Sequence, residues 1–290
     1  MTRFLLIGAG YSARAFAAQA LAGGHRAAGT TRTPEGLQRL QKLGIDAVIF
    51  DGGEISQSLR DELAQATHLI VSAGPSEAGD PFLAAAKDLG RADMPALRWV
   101  GYLSTVGVYG NHDGAWVTEE SECRPRPGRS DSRLEAEGQW QAFAAKLGVP
   151  LAVLRLSGIY GPGRNAFVNL ANGTARRIVK AGQIFNRIHV DDIAGALTHL
   201  AADATPGVFN VTDDEPAPPQ DVVAFAAGLM GVEPPPEIDF EKADLSPMGR
   251  SFYGETKRVS NAKLKAVGYR FCQPDYRTAF AGMWAKQNWR

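Results

Sequence analysis

Three small residues at fixed spacing, Gly8, Gly10 and Ala13, follow the apolar run FLLI at residues 4–7 and lead into an Ala-rich segment of helical pattern. The first glycine permits a tight turn, the second lets the backbone approach a diphosphate, and the small third residue lets a helix pack on the strand. The N–H groups that open such a helix, here at Tyr11, Ser12 and Ala13, lack intrahelical acceptors, and the helix dipole favours an anion beside them. Roughly 20 residues beyond the glycines, where folds of this kind read a ribose, the chain places Thr31 and Arg32. An acid there would accept from a 2′-hydroxyl. A guanidinium with a neighbouring hydroxyl suits a 2′-phosphate instead. The chemistry these residues point to is dinucleotide binding, NADP first and NAD as the alternative. A glycine turn that serves packing alone and a solvated arginine stay open beside it.

Three further groups bear on chemistry. Ser104 and Thr105 follow an apolar run and can orient a substrate oxygen, although an unassisted hydroxyl is a poor base. Arg176, Arg177, Lys180 and Arg187 form a local basic run over 172–187, read either as a solvated helix face or as part of a site for an anionic substrate group held by Arg164, Arg177 and Arg187. Tyr109, Tyr160 and His112 are titratable groups near strand ends, each open between packing and proton transfer. The histidines include no His-x-x-x-His pair, and Cys123 and Cys272 lie far apart, so no metal is expected and the setting reads as reducing and cytoplasmic.

The elements that must position these groups follow from periodicity. Short apolar strands at residues 26–31, 47–50, 68–72, 98–103 and 151–156 alternate with helical faces such as Leu37, Leu40 and Leu43, then Leu59, Leu63 and Ala66, then Phe82, Ala85, Ala86 and Leu89. A longer helix is expected from about 131 to 147. Strand alternating with helix gives an α/β class, a doubly wound parallel sheet with helices on both faces. The loops after its strands line the nucleotide crevice, which adds Asp51, Ala73, Gly74 and Pro75 to the cofactor candidates. The expected division is a dinucleotide-binding domain over 1–156, with a sheet contribution near 209–211, and a small C-terminal substrate lobe over 157–290. Lysine plus arginine equals aspartate plus glutamate at 31 each, so no overall field points to nucleic acid or an anionic membrane, and no apolar run reaches bilayer length. The opening apolar run is too short for a secretory signal.

With GAGYSA at 8–13, LSTVGVYG at 103–110, RLSGIYGPGRN at 155–165, RIHVDDIA at 187–194 and FNVTDDEP at 209–216 in view, the chain resembles the extended short-chain dehydrogenase/reductase superfamily, the group of nucleotide-sugar epimerases and dehydratases. The resemblance spans essentially the full length. It implies a Rossmann sheet carrying NAD or NADP, a C-terminal substrate lobe, Thr105 as the active-site hydroxyl with Ser104 beside it, and a small-molecule, anionic substrate. A homodimer is held open.

The chain departs from that pattern where the chemistry lies. The resemblance implies Tyr-x-x-x-Lys on the helix after the fifth strand, but here Arg129 stands at the tyrosine and Arg133 at the lysine, with no tyrosine between Tyr109 and Tyr160. A guanidinium stays protonated and has no lone pair to take a proton, so Arg129 cannot replace the phenol, while Arg133 retains the capacity to bind ribose or phosphate. Val106 and Gly107 stand where the dehydratases carry Asp and Glu. Two readings follow: an epimerase-, dehydratase- or reductase-like enzyme acting on a nucleotide-linked or phosphorylated small molecule, and a non-catalytic NADP-binding sensor.

Overall fold

The computed structural model describes residues 1–76 and 78–290. Its central sheet opens with β1 (Arg3–Ile7), β2 (Arg26–Thr31), β3 (Asp46–Ile49), β4 (His68–Val71) and β5 (Trp99–Thr105), interleaved with α1 (Tyr11–Ala22), α2 (Pro34–Lys42), α3 (Gln57–Gln65), α4 (Pro81–Ala85) and α5 (Arg129–Leu147). Two later strands, Leu151–Leu156 and Gly207–Val211, complete seven in the order Gly207–Val211, Leu151–Leu156, β5, β4, β1, β2, β3. β1 pairs in parallel with β2 on one side and β4 on the other, which makes β1 and β4 the point where the strand order reverses. Ile7 lies opposite Val71, so the Gly8 turn and the loop after β4 leave the sheet side by side.

Side chains alternate across this sheet as the pleat requires. Phe4 meets Phe16 of α1 edge-on at 4.9 Å, while Leu5 and Ile7 join Leu59, Leu63, Phe82, Tyr102 and Trp140 in the core on the other face. The sheet and both helical layers match the α/β expectation. Two elements differ from it. The helical face drawn through Leu89 stops at Ala85: the helix that Asp80 caps has five residues, and a separate 3-10 turn, Arg91–Asp93, follows. β5 continues past Leu103 to Thr105, so Ser104 and Thr105 belong to the strand rather than to the loop beyond it.

The chain divides into two compact units, each discontinuous in sequence. The first comprises Met1–Val108, Pro125–Arg155 and Ile193–Phe209, and the second Tyr109–Arg124, Leu156–Asp192 and Asn210–Arg290. In the second, parallel strand pairs join Gly158–Tyr160 to Arg187–His189 and Arg177–Val179 to Glu237–Asp239. Phe167, Tyr276, Phe280, Met283 and Trp289 belong to its hydrophobic core. The basic run therefore does not lie on a helix: the helix Ala166–Ala171 ends before it, and Arg177 and Arg187 sit on separate strands. Asp192 lies in the first turn of the helix Val190–Ala202. Its buried carboxylate accepts from the Tyr269 hydroxyl at 2.8 Å and from the N–H groups of Cys272 and Gln273. Among the described residues, no helix is long and apolar enough to cross a membrane.

Candidate functional site

The glycine turn of the first unit is fixed from two sides. Gly8 has φ +82°, and a Cβ there would sit 2.8 Å from the Ala73 nitrogen, so both conformation and close approach require glycine. Its N–H donates to the hydroxyl of buried Thr30 at 2.8 Å, and the Ala9 N–H donates to the Thr30 carbonyl at 2.9 Å. Gly10 is exposed, and a Cβ there would meet nothing closer than 4.0 Å. It opens α1 with neither a side-chain cap nor a carboxylate in the first turn, the polarity that favours an anion at a helix start. Ala13 is fully buried against the sheet, as its size allows.

Thr31 ends β2, and the first turn of α2 presses on it so closely that a Cβ on Gly36 would fall 2.0 Å from its hydroxyl oxygen. Arg32, the next residue, is exposed and has no side-chain hydrogen bond or ion pair among the described residues. Thr33 caps α2 by accepting the Gly36 N–H at 3.2 Å. Asp51 accepts the N–H of Gly53 in its own turn, at 3.0 Å. Ala73, Gly74 and Pro75 leave β4 beside the glycine turn, tied to it by the Ala73 N–H on the Ile7 carbonyl at 2.9 Å. These residues fit a dinucleotide: a helix start without a side-chain cap at the switch point, a glycine whose missing side chain keeps the backbone open, and, just past the end of β2, a cation with no side-chain partner among the described residues.

The first turns of α5 supply the other polar groups. Arg133 Nη1 donates to the Leu103 carbonyl at 2.6 Å, and Nη2 lies 3.0 Å from the position a Cβ on Gly74 would take. Ser130, one helical turn earlier, brings its hydroxyl to 2.7 Å from the Cβ position of Gly107, and the Thr105 hydroxyl stands 3.4 Å from the same point. Thr105 is half-buried and accepts the Gly107 N–H at 3.1 Å, which leaves its proton free to donate. Ser104 separates from it. Its hydroxyl turns inward to the buried Glu137 carboxylate at 2.5 Å, where Arg155 closes the cluster. Arg129 is the exposed first residue of α5. Ser130 escapes the sequence reading because its approach depends on Gly107 having no side chain.

In the second unit, Arg187 is the basic residue drawn inward. Its Nη1 donates to the carbonyls of Phe185 and Ala217, each at 3.0 Å, and its guanidinium lies 5.9 Å from the Tyr276 ring. Asp213 lies beside it. Burial pushes that carboxyl up to about 8, against the Arg187 charge that pulls it down. The hydroxyls of Tyr160 and Tyr276 and Oδ2 of Asp213 have no hydrogen-bond partner among the described residues. The other cations do not join this cluster. Arg177 pairs with Glu237 at 2.6 Å, Arg176 donates to the Asp244 carbonyl at 2.5 Å, Lys180 donates to the Tyr253 carbonyl, and Arg164 is exposed. Of the proton-transfer candidates, Tyr109 is buried and donates to Asn210 at 2.7 Å. Tyr160 is buried too, and burial followed by the charges of Asp213 and Asp192 raises its phenol above the usual range. His112 meets the Glu122 carbonyl at 3.2 Å.

Comparison with known proteins bears on this geometry. A sequence model of the NAD dependent epimerase/dehydratase family matches residues 5–212. Protein YeeZ of Escherichia coli (strain K12) is 26% identical over 290 residues, covering 95% of this chain and 97% of its own. The structure of a functionally unknown conserved protein from Silicibacter pomeroyi is 46% identical with a TM-score of 0.91, covering 99% of each chain. The human epimerase family protein SDR39U1 (isoform2), solved with NADPH, has a TM-score of 0.74 at 19% identity, covering 98% of this chain and 99% of its own, a likeness of fold.

Proposed function

Because the chain belongs to the NAD dependent epimerase/dehydratase family, we propose that its first unit holds NADP and that the protein is an epimerase- or reductase-like enzyme acting on a nucleotide-linked or phosphorylated small molecule. An NAD(P)-binding, epimerase-like protein follows from the family. The observation that carries the choice of NADP is Arg32, a cation just past the end of β2 with no side-chain partner among the described residues. A fork of donors there recognises a 2′-phosphate and finds nothing equivalent on a hydroxyl. Gly8, Gly10 and the start of α1 would take the diphosphate, and Asp51, Ala73, Gly74, Pro75 and Arg133 would line the remainder.

When bound, the nicotinamide would accept or donate hydride. Thr105 would orient a substrate oxygen by donating its hydroxyl proton. Arg187 and Arg164 are the proposed contacts for an anionic group of the substrate, and Arg177 is the weakest of the three because Glu237 already neutralises it. A second reading, a non-catalytic NADP sensor, is favoured by a specific observation: the hydroxyls of Tyr109 and Tyr160 are both buried, and arginines occupy the positions of the family's tyrosine and lysine. A cytoplasmic setting and a homodimer belong to the proposal, the latter open to a solution mass measurement.

Titration calorimetry with NADP and NAD, on the natural chain and on Arg32→Ala, tests the cofactor. The expected result is tighter NADP binding by about tenfold or more, lost in the variant, on the scale of one charge-assisted contact. Equal affinity for the two cofactors would sink the NADP reading.

A further inference from the structure

In a doubly wound sheet the two halves of a dinucleotide lie on either side of the point where the strand order reverses. Here that point is between β1 and β4. With the ribose-reading Arg32 at the end of β2, the nicotinamide half belongs over the ends of β4 and β5. Arg133 reaches that place: Nη1 rests on the Leu103 carbonyl at 2.6 Å near the end of β5, and Nη2 stands against Gly74 just beyond β4. Its partners among the described residues are neutral, that carbonyl and the side chain of Tyr102, whose ring centre lies 5.8 Å from the guanidinium carbon, and it has no ion pair among them. The nearby carboxylates among the described residues, Asp80 and Glu137, are engaged elsewhere. Asp80 accepts from the Trp140 indole at 2.9 Å and from the N–H groups of Phe82 and Leu83. Glu137 is neutralised by Arg155 at 2.8 Å. A half-buried, permanently charged guanidinium thus stands at the place of the nicotinamide half without an ion pair among the described residues.

The oxidised nicotinamide ring carries a positive charge and the reduced ring carries none, while the rest of the cofactor is the same. We infer that Arg133 makes the first unit selective for the redox state of its cofactor, so that it binds NADPH more tightly than NADP⁺. The inference rests on the dinucleotide reading above and adds a direction to it. A protein that prefers the reduced form makes the bound couple easier to reduce, as linkage requires, and is suited to holding NADPH ready for a reduction or to reporting the reduced pool.

The expected preference is on the order of tenfold, the scale of one unit-charge repulsion acting across several ångströms in a partly solvated site. Titrations of the natural chain with NADPH and with NADP⁺ give the ratio of dissociation constants. Arg133→Gln should bring that ratio close to one, and Arg133→Lys, which keeps the charge, should preserve it. Raising the salt concentration should shrink the ratio in the natural chain, and this measurement needs no variant to fold. Equal affinities in the natural chain, or a ratio unchanged in a folded Arg133→Gln, would overturn the inference and leave the dinucleotide site standing. If neither form binds, the dinucleotide reading falls and takes this inference with it.

Discussion

Glu137 and Arg155 form an ion pair inside the first unit, with Nη2 2.8 Å from Oε2 and side chains only 4% and 7% exposed. Ser104 donates its hydroxyl to the same carboxylate. Removing one member of such a pair strands a charge in the interior, typically at a cost of about 3–5 kcal/mol. Glu137→Ala is therefore expected to lower the unfolding free energy by about that much, and Ser104→Ala by about 1–3 kcal/mol. Urea denaturation measures both. A Ser104→Ala protein of unchanged stability would mean that the hydroxyl is not held by Glu137 and is available at the site after all.

The two glycines of the turn should fail differently. At Gly8 a side chain meets the Ala73 backbone and an unfavourable φ, so Gly8→Ala should destabilise the fold by about 1–3 kcal/mol and weaken cofactor binding with it. At Gly10 a methyl group meets no protein atom within ordinary contact distance, so Gly10→Ala should leave unfolding nearly unchanged while lowering dinucleotide affinity at least about tenfold, since the methyl stands where a diphosphate would approach. Denaturation and calorimetry on the same two proteins separate the effects. A Gly10→Ala protein with full affinity would remove the diphosphate from this turn.

What the sequence revealed and what it hid divide along physical lines. The sheet was legible because apolar runs and helical faces repeat with the periods the backbone imposes, and the turn was legible because glycine spacing is local. The commitment of Ser104 to Glu137 was not, since the two are brought together only by the packing of α5 on β5. Charge composition misled most at residues 172–187. A run of cations looks like a helix face, yet Arg177 and Arg187 lie on strands, and only the fold decides that Glu237 neutralises the first while the second is drawn in beside Asp213.

Asp213 gives stability an unusual dependence on pH. Burial raises its carboxyl from 3.8 to about 8, so between those values the folded chain holds a proton that the unfolded chain has released. The corresponding stabilisation is fully present below pH 4, falls as pH rises toward 8, and is gone above it, with a slope of at most about 1.4 kcal/mol per pH unit. Other carboxylates obscure this in a single curve, so the comparison is with Asp213→Asn, which keeps the shape and cannot titrate. The variant should gain on the natural chain as pH rises through this window and then run parallel to it. A constant difference across the window would mean that Asp213 is already ionised in the folded state.

Chemistry is the last test. Proton transfer at a carbonyl or hydroxyl needs a group that accepts and releases a proton within hydrogen-bond reach, which contributes about 10²–10⁴-fold. Arg129 cannot do this, the Tyr109 hydroxyl is committed to Asn210, and the Tyr160 phenol is both buried and raised beyond any working pH. Thr105 and Ser130 offer hydroxyls around Gly107 with no base in evidence beside them. With NADPH or NADP⁺ and a panel of sugar nucleotides, absorbance of the reduced cofactor should therefore show turnover well below the roughly 1 per second typical of enzymes. If a substrate does turn over, Thr105→Val should lose most of the rate, and Ser130→Ala should lose less, because Thr105 alone stands at the strand end with its proton free. Turnover at ordinary rates that survives both changes would require a proton donor outside the α5 and β5 groups.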